Sequence, residues 1–253
     1  MDKIDKLIQY INESNNIVFF GGAGVSTESS IPDFRSKDGL YNQHDVRFDM
    51  YDPEYLLSRD CLYNDPKVFY EFYRQKMDTR NIEPNITHKV LAKLEEMGKL
   101  KAIITQNIDG LHQKAGSKTV YEIHGTTLKN HCDCREYDGN YIFDSDEAIP
   151  KCPYCKKLIR PNVVLYGESL PQEDVNNSLN ALNEADMLII GGTSLQVYPA
   201  ASFIYEFNGN HMVVINKERL DIELDSNIDL VFRDSLGNVF SEIDKRLNYD
   251  FKR

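Results

Sequence analysis

The chain is predicted to be an α/β protein built on a mostly parallel sheet. Three features predict this. Short apolar runs rich in Ile and Val recur along it: Ile17–Phe20, Ala102-Ile103-Ile104, Val163-Val164-Leu165, Met187–Ile190 and Met212–Ile215. Helix-like segments lie between several of them, including Thr87–Met97, Gln172–Glu184 and Pro199–Phe207. The first run ends in Gly21-Gly22-Ala23-Gly24, a glycine turn. A strand that is apolar throughout is covered on both faces, and alternation of strand with helix supplies that double cover.

The elements follow in order. Ile4, Leu7, Ile8 and Ile11 recur at helical spacing and predict a first amphipathic helix. Ile17–Phe20 is then a buried strand feeding the glycine turn, with a helix expected from near Ser26. Two stretches break the rhythm. Ser36–Pro84 is rich in Tyr, Asp and Phe with helical patches, and His131–Lys157 holds four of the five cysteines. Both read as insertions that form a smaller module. The expected division places 1–35, 85–125 and 160–253 in the sheet-bearing part. The small module combines a helical insertion, 36–84, with a cysteine-bearing one, 126–159.

Bulk composition narrows the function. Lys plus Arg is 29 and Asp plus Glu is 40, a formal charge of −11. Such a chain is repelled by phosphate backbones, so nucleic acid is not expected as a partner. No apolar run is long enough to span a bilayer. Residues Met1 to Tyr10 carry Asp2, Lys3, Asp5 and Lys6 and lack the apolar core of a signal peptide, so the cytoplasm is the expected compartment. In a reducing compartment, clustered cysteines point to metal.

Five stretches carry chemistry. Gly22-Ala23-Gly24 follows a strand, where backbone N–H groups can approach a pyrophosphate. Thr27 stands where the dinucleotide fingerprint asks for Gly or Ala, and a tight turn explains the glycines equally well. Ile31-Pro32-Asp33-Phe34-Arg35 is an extended loop that could fold over a cofactor, with Phe34 as a lid and Arg35 as a phosphate partner. From chemistry alone, a surface loop with an Asp33–Arg35 contact is the simpler account. Thr105-Gln106-Asn107-Ile108-Asp109-Gly110 follows the strand Ala102–Ile104 directly, at the kind of strand end where open sheets bind ligands. A turn capped by Asn107 and Asp109 accounts for it too. His124-Gly125 closes the run Val120–Ile123, and a His at such an end is a candidate general base, though a lone His is more often structural. Cys132-x-Cys134, 17 residues and then Cys152-x-x-Cys155 would suit one tetrahedral zinc. Four protein ligands leave no open position, so the metal is expected to be structural.

Together these residues resemble the sirtuin family of NAD-dependent protein lysine deacylases, bacterial type. The matching pieces run in the family's order: Gly22-Ala23-Gly24-Val25-Ser26, Ile31-Pro32-Asp33-Phe34-Arg35, Gln106-Asn107-Ile108-Asp109, His124-Gly125, the four cysteines, Tyr166-Gly167-Glu168, Gly192-Thr193-Ser194-Leu195 and Ile215-Asn216. The resemblance implies a large Rossmann-like domain and a small zinc-ribbon and helical module, with NAD and an acyl-lysine protein or peptide meeting between them. It further implies that Ala23, Thr27 and Arg35 hold the NAD phosphates and nearby ribose, and that Phe34 covers the nicotinamide. Asn107, Ile108 and Asp109 would line the nicotinamide pocket, and Gln106 would contact its ribose. Ser194 and Asn216 would contact the adenosine half, and Gly192 and Thr193 are implied to bind the cofactor with them. His124 is implied to be the base, with Asn107 and Asp109 beside it. Peptide would add as a strand between Gly167-Glu168 and Leu195–Val197, with Val164, Tyr166 and Val197 as further contacts.

Departures from the family pattern matter. Ser30 replaces a common Gly. Tyr166 replaces the usual Phe and adds a hydroxyl that needs a partner if buried. The Cys132-x-Cys134 spacing is one residue short, which makes His131 an alternative ligand. Members that prefer acidic acyl chains carry Tyr-x-x-Arg, where this chain has Tyr73 and Lys76, so acetyl or another uncharged acyl group is expected. Two rivals remain at this stage: a mono-ADP-ribosyltransferase using the same NAD site, and a non-catalytic zinc-ribbon adaptor that binds NAD or acylated peptides.

Overall fold

A computed structural model describes residues 2–34, 36–138, 141–220 and 228–250. In chain order the elements are α1 (Lys3–Glu13), β1 (Ile17–Gly21), α2 (Pro53–Leu56), α3 (Arg59–Asn64), α4 (Pro66–Lys76), α5 (Ile86–Glu96), β2 (Leu100–Thr105), α6 (Leu111–Lys114), β3 (Val120–Glu122), β4 (Gly125–Cys132), β5 (Arg135–Asp138), α7 (Tyr141–Asp144), β6 (Arg160–Val163), α8 (Gln172–Glu184), β7 (Met187–Gly191), β8 (His211–Ile215), β9 (Leu230–Phe232) and α9 (Leu236–Asp250). Short 3₁₀ turns fill Ala23–Val25, Thr27–Ser29, Leu40–Asn42 and Ala200–Glu206.

Six strands form one parallel sheet in the order β3-β2-β1-β7-β8-β9. Every residue of β1 and β7 is buried, which is why their sequences are apolar without alternation. Strand geometry sends successive side chains to opposite faces. Phe19, Ile103 and Ile189 pack against Leu7 and Ile11 of α1, Leu91 of α5 and Phe240 of α9. Phe20, Ile104 and Ile190 pack on the other face against Leu182 of α8 and Ile204. Each such side chain contributes roughly 1.5–3 kcal/mol by leaving water. Among the described residues no helix is long and apolar enough to cross a membrane.

A second sheet, β5-β4-β6, is antiparallel. It shares a core with Leu62, Phe69, Tyr70 and Tyr73 of α3 and α4. This corrects three sequence expectations. Val163-Val164-Leu165 does not join the parallel sheet: Val163 ends β6, and its burial comes from the aromatic core of the small sheet. No α-helix begins near Ser26, because two 3₁₀ turns follow the glycines and Ser30 ends them in the left-handed region at φ 68°. The segment read as the helix Pro199–Phe207 is 3₁₀ over Ala200–Glu206.

Candidate active site

The order β3-β2-β1-β7-β8-β9 puts the switch in strand order between β1 and β7, where the carboxyl ends of strands open a crevice. Two loops touch there. A Cβ on Gly24 would stand 2.7 Å from the Cα of Gly192, and one on Gly22 would stand 2.9 Å from the Cβ of Thr193. The N–H of Gly24 donates to the carbonyl of Gly192 at 2.8 Å. Glycine at these positions is therefore demanded by loop-to-loop contact, and the Gly24 N–H is committed within the protein.

A cleft of about 1250 Å³ opens beside this contact. From the glycine loop and the segment after it, Gly22, Ala23, Gly24, Thr27 and Phe34 line it. Gln106, Asn107 and Ile108 enter from the end of β2, and His124 from beyond β3. Val164, Tyr166, Gly167 and Glu168 form a wall after β6. Gly192, Thr193, Ser194 and Val197 follow β7, and Asn216 follows β8. Residues scattered over the sequence thus meet on one surface. Arg35 lies outside the described residues. Asp109 is absent from the lining and is buried beneath it at 8% exposure.

Beneath the cleft, three side chains form a short network. Asn107 Nδ2 donates to Ser26 Oγ at 3.0 Å, and Ser26 Oγ donates to Asp109 Oδ2 at 2.7 Å. The N–H of Leu111 donates to Asp109 Oδ1 at 2.9 Å across Gly110, whose φ of 71° favours glycine. Burial pushes the Asp109 carboxyl upward, and the Ser26 and Leu111 donors oppose it. Asp109 is at once the turn-capping residue and part of the site's floor. Ser26 was missed as a functional side chain; its partners lie 81 and 83 residues away. Gln106 Nε2 donates to Thr193 Oγ1 at 3.0 Å, which ties the ends of β2 and β7.

His124 Nδ1 is 3.0 Å from the carbonyl oxygen of Gln106. A carbonyl can only accept, so Nδ1 carries the proton and Nε2 keeps its lone pair. Burial lowers the imidazole's pKa, and the Gln106 carbonyl acts weakly against it. The ring is therefore neutral near pH 7, as a base must be. Two residues earlier, Glu122 was not singled out in the sequence. Burial pushes its carboxyl up to about 7, hydrogen bonds with Gln113 and Thr126 pull it down, and Asp109 and Asp174 repel its charge.

The wall after β6 is held through its main chain. Val164 N donates to the His124 carbonyl at 2.9 Å, Tyr166 N to Leu57 O at 3.0 Å, and Arg59 N to Tyr166 O at 3.0 Å. The Tyr166 hydroxyl lies 3.0 Å from that of Tyr41, so the extra hydroxyl has a partner. Tyr73 and Lys76 do not line the cleft. Tyr73 is fully buried and stacked on Phe69 and Phe143, while Lys76 Nζ donates to Gln43.

The four cysteine sulfurs all lie within 4.8 Å of one another. Tetrahedral zinc with bonds of about 2.3 Å sets sulfurs about 3.8 Å apart. The spacings of 3.1 Å (Cys132–Cys134), 3.5 Å (Cys134–Cys152) and 3.9 Å (Cys155–Cys132) bracket that value. The donor set fits one ion. The short Cys132-x-Cys134 spacing works because β4 turns into β5 through Asp133 and Cys134, with Cys132 paired to Arg135. His131 is not a ligand: it neighbours Cys132 on the strand, points to the other face and bonds Asn162 Oδ1.

The fold and site define a dinucleotide-binding α/β protein with an inserted thiolate knot. A family model described as Sir2 family matches residues 22–199. The chain belongs to the Sir2 family. It is 52% identical over 246 residues to an NAD-dependent protein deacetylase of Clostridium perfringens, covering 96% of this chain and 98% of that one. With the protein of the same description from Clostridium acetobutylicum it shares 51% over 245 residues, again covering 96% and 98%. A Sir2 structure solved with deacetylated p53 peptide and 3′-O-acetyl-ADP-ribose superposes with a TM-score of 0.85 at 33% identity, over 97% of this chain and 98% of that one. A Sir2 protein bound to a propionylated peptide superposes at 0.82 and 32% identity, over 98% and 99%.

Proposed function

We propose that this chain is an NAD-dependent protein lysine deacetylase, which moves the acyl group of an acyl-lysine to the ADP-ribose part of NAD and releases nicotinamide and O-acetyl-ADP-ribose. One observation carries the reading. A neutral imidazole with its lone pair on Nε2 shares a crevice with Gln106 and Asn107, above the Asn107–Ser26–Asp109 network. The named activity of relatives half identical over nearly the full chain supports it.

When bound, NAD supplies a ribose carbon made electrophilic by departure of the nicotinamide. The protein's own residues do the rest. Ala23, Thr27 and Arg35 hold the phosphates and nearby ribose. Gly22, Gly24, Gly192, Thr193, Ser194 and Asn216 shape the rest of the dinucleotide's bed. Phe34 covers the nicotinamide end and excludes water. Asn107 and Ile108 hold the nicotinamide, Asp109 supports Asn107 from below through Ser26, and Gln106 positions its ribose. The Asn107–Ser26–Asp109 network sets fixed dipoles close to where positive charge develops, a favourable preorganised interaction. His124 Nε2 takes a proton from a ribose hydroxyl, so that the oxygen can attack the acyl carbon. The peptide lies as a strand between Gly167-Glu168 and Leu195–Val197, beside Val164, Tyr166 and Val197. Cys132, Cys134, Cys152 and Cys155 hold one structural zinc. The division into a sheet-bearing part (1–35, 85–125, 160–253) and a small module (36–84, 126–159) belongs to the same reading, with 160–163 hydrogen-bonded into the small sheet. A four-thiolate site is stable in a reducing compartment, which favours the cytoplasm.

The test is a panel of acyl-lysine peptides incubated with NAD, read by peptide mass and nicotinamide release. Loss of the acyl mass in step with nicotinamide is expected, with acetyl among the good substrates. Nicotinamide release with ADP-ribose added to protein would favour transfer to protein instead. No nicotinamide release with any peptide would refute the reading.

A further inference from the structure

Glu168 was expected to meet the substrate through its main chain, and its carboxylate is committed elsewhere. Arg160 Nη1 donates to Oε1 and Nη2 to Oε2, both at 2.7 Å. The N–H of Leu165 donates to Oε2 at 3.0 Å. Each charged side chain is only 16% exposed. The parallel fork fixes both distance and angle, as a single ammonium contact cannot. A buried ion pair adds little net stability and is better suited to fixing geometry.

What it fixes is a main-chain edge. Glu168 N donates back to Leu165 O at 3.0 Å, closing a turn. Gly167 in that turn has φ 88°, and nothing lies within 4 Å of where its Cβ would be. The glycine is needed for backbone direction, and no packing holds it. The fork from Arg160, on the first residue of β6, closes the loop 160–168 and supplies the missing constraint.

We propose that Arg160 is a positioning residue: through Glu168 it sets the Tyr166–Glu168 edge against which the substrate peptide is laid. This rests on the reading above that the edge receives peptide.

The test is steady-state kinetics on the full chain with its metal, varying acetyl peptide and NAD separately. Arg160→Lys keeps the charge and loses the fork. It is expected to raise KM for peptide about tenfold while kcat and KM for NAD stay within about twofold. Glu168→Gln keeps the shape and gives up the charge, and is expected to raise the same peptide constant severalfold. An unchanged peptide KM in both variants would overturn the proposal. So would equal rises for peptide and NAD, or failure of both variants to fold, since the pair would then hold the fold and not the edge. A parent protein without NAD-dependent deacylation would instead sink the functional reading.

Discussion

Glu122→Gln is the sharpest thermodynamic test of the buried surroundings at the end of β3. Glu122 ends β3, two residues before the base, and burial raises its carboxyl from 4.5 to about 7. The folded protein therefore holds a proton at Glu122 that the unfolded chain releases above pH 4.5. Stability from this group is fully present below 4.5 and is lost as pH rises toward about 7. At 1.36 kcal/mol per pH unit, the span from 4.5 to about 7 is worth on the order of 3 kcal/mol. Glutamine keeps the neutral shape and does not titrate. The measurement is urea unfolding of parent and variant at a series of pH values from about 5 to about 8. Most of that difference falls inside this window, so the variant is expected to gain about 2–3 kcal/mol on the parent across it. Curves that stay parallel would refute the claim that Glu122 is folded in its protonated form.

Three further outcomes are expected. His124→Ala is expected to lower kcat by about 10²–10⁴-fold with NAD binding retained in calorimetry. Because burial lowers the His124 pKa, the acid limb of kcat/KM in the parent should fall below the usual histidine value of 6.5. Ser26→Ala removes the link between Asn107 and Asp109 and leaves a buried carboxyl short of a donor. A loss of about 1–3 kcal/mol in stability and a raised KM for NAD are expected from unfolding and kinetic measurements. Cys152→Ser is expected to release the metal, read by elemental analysis of the purified chain. A parent without zinc would refute the structural-metal assignment.

The parallel sheet was legible because β1, β2, β7 and β8 are buried on both faces, and apolar runs mark that state. Gln172–Glu184 was read to the residue as α8. Strands β4 and β5 were not, since GTTLKNHC and REYD mix polar and exposed positions and belong to a sheet with little cover. The run at Val163 deceived because apolar residues report burial and do not report which sheet supplies it. Strand β9 has three residues, too few to show a period. At the site, motif order picked out the glycine loop, Gln106 to Ile108, His124, the Val164–Glu168 wall and Gly192 to Ser194, which all line the cleft; it passed over others that line it, such as Glu28, Lys37, Gln196, Glu218 and Asp234. It missed what depends on long-range partners: Ser26 between Asn107 and Asp109, Arg160 under Glu168, and the acidity of Glu122. The expected helix after the glycine turn failed for a related reason, because Gly24 is pinned by Gly192 across the sheet.

Strand β4 has the imidazole at one end and a sulfur of the knot at the other. Its eight residues span roughly 26 Å at about 3.3 Å each, and it leaves His124 through Gly125, whose missing Cβ would stand 2.0 Å from Asn162 O. It behaves as a tiller with the ion at the handle and the base at the rudder. The four cysteines and the imidazole are thus joined by one strand, with the cysteine cluster and the base at opposite ends of it.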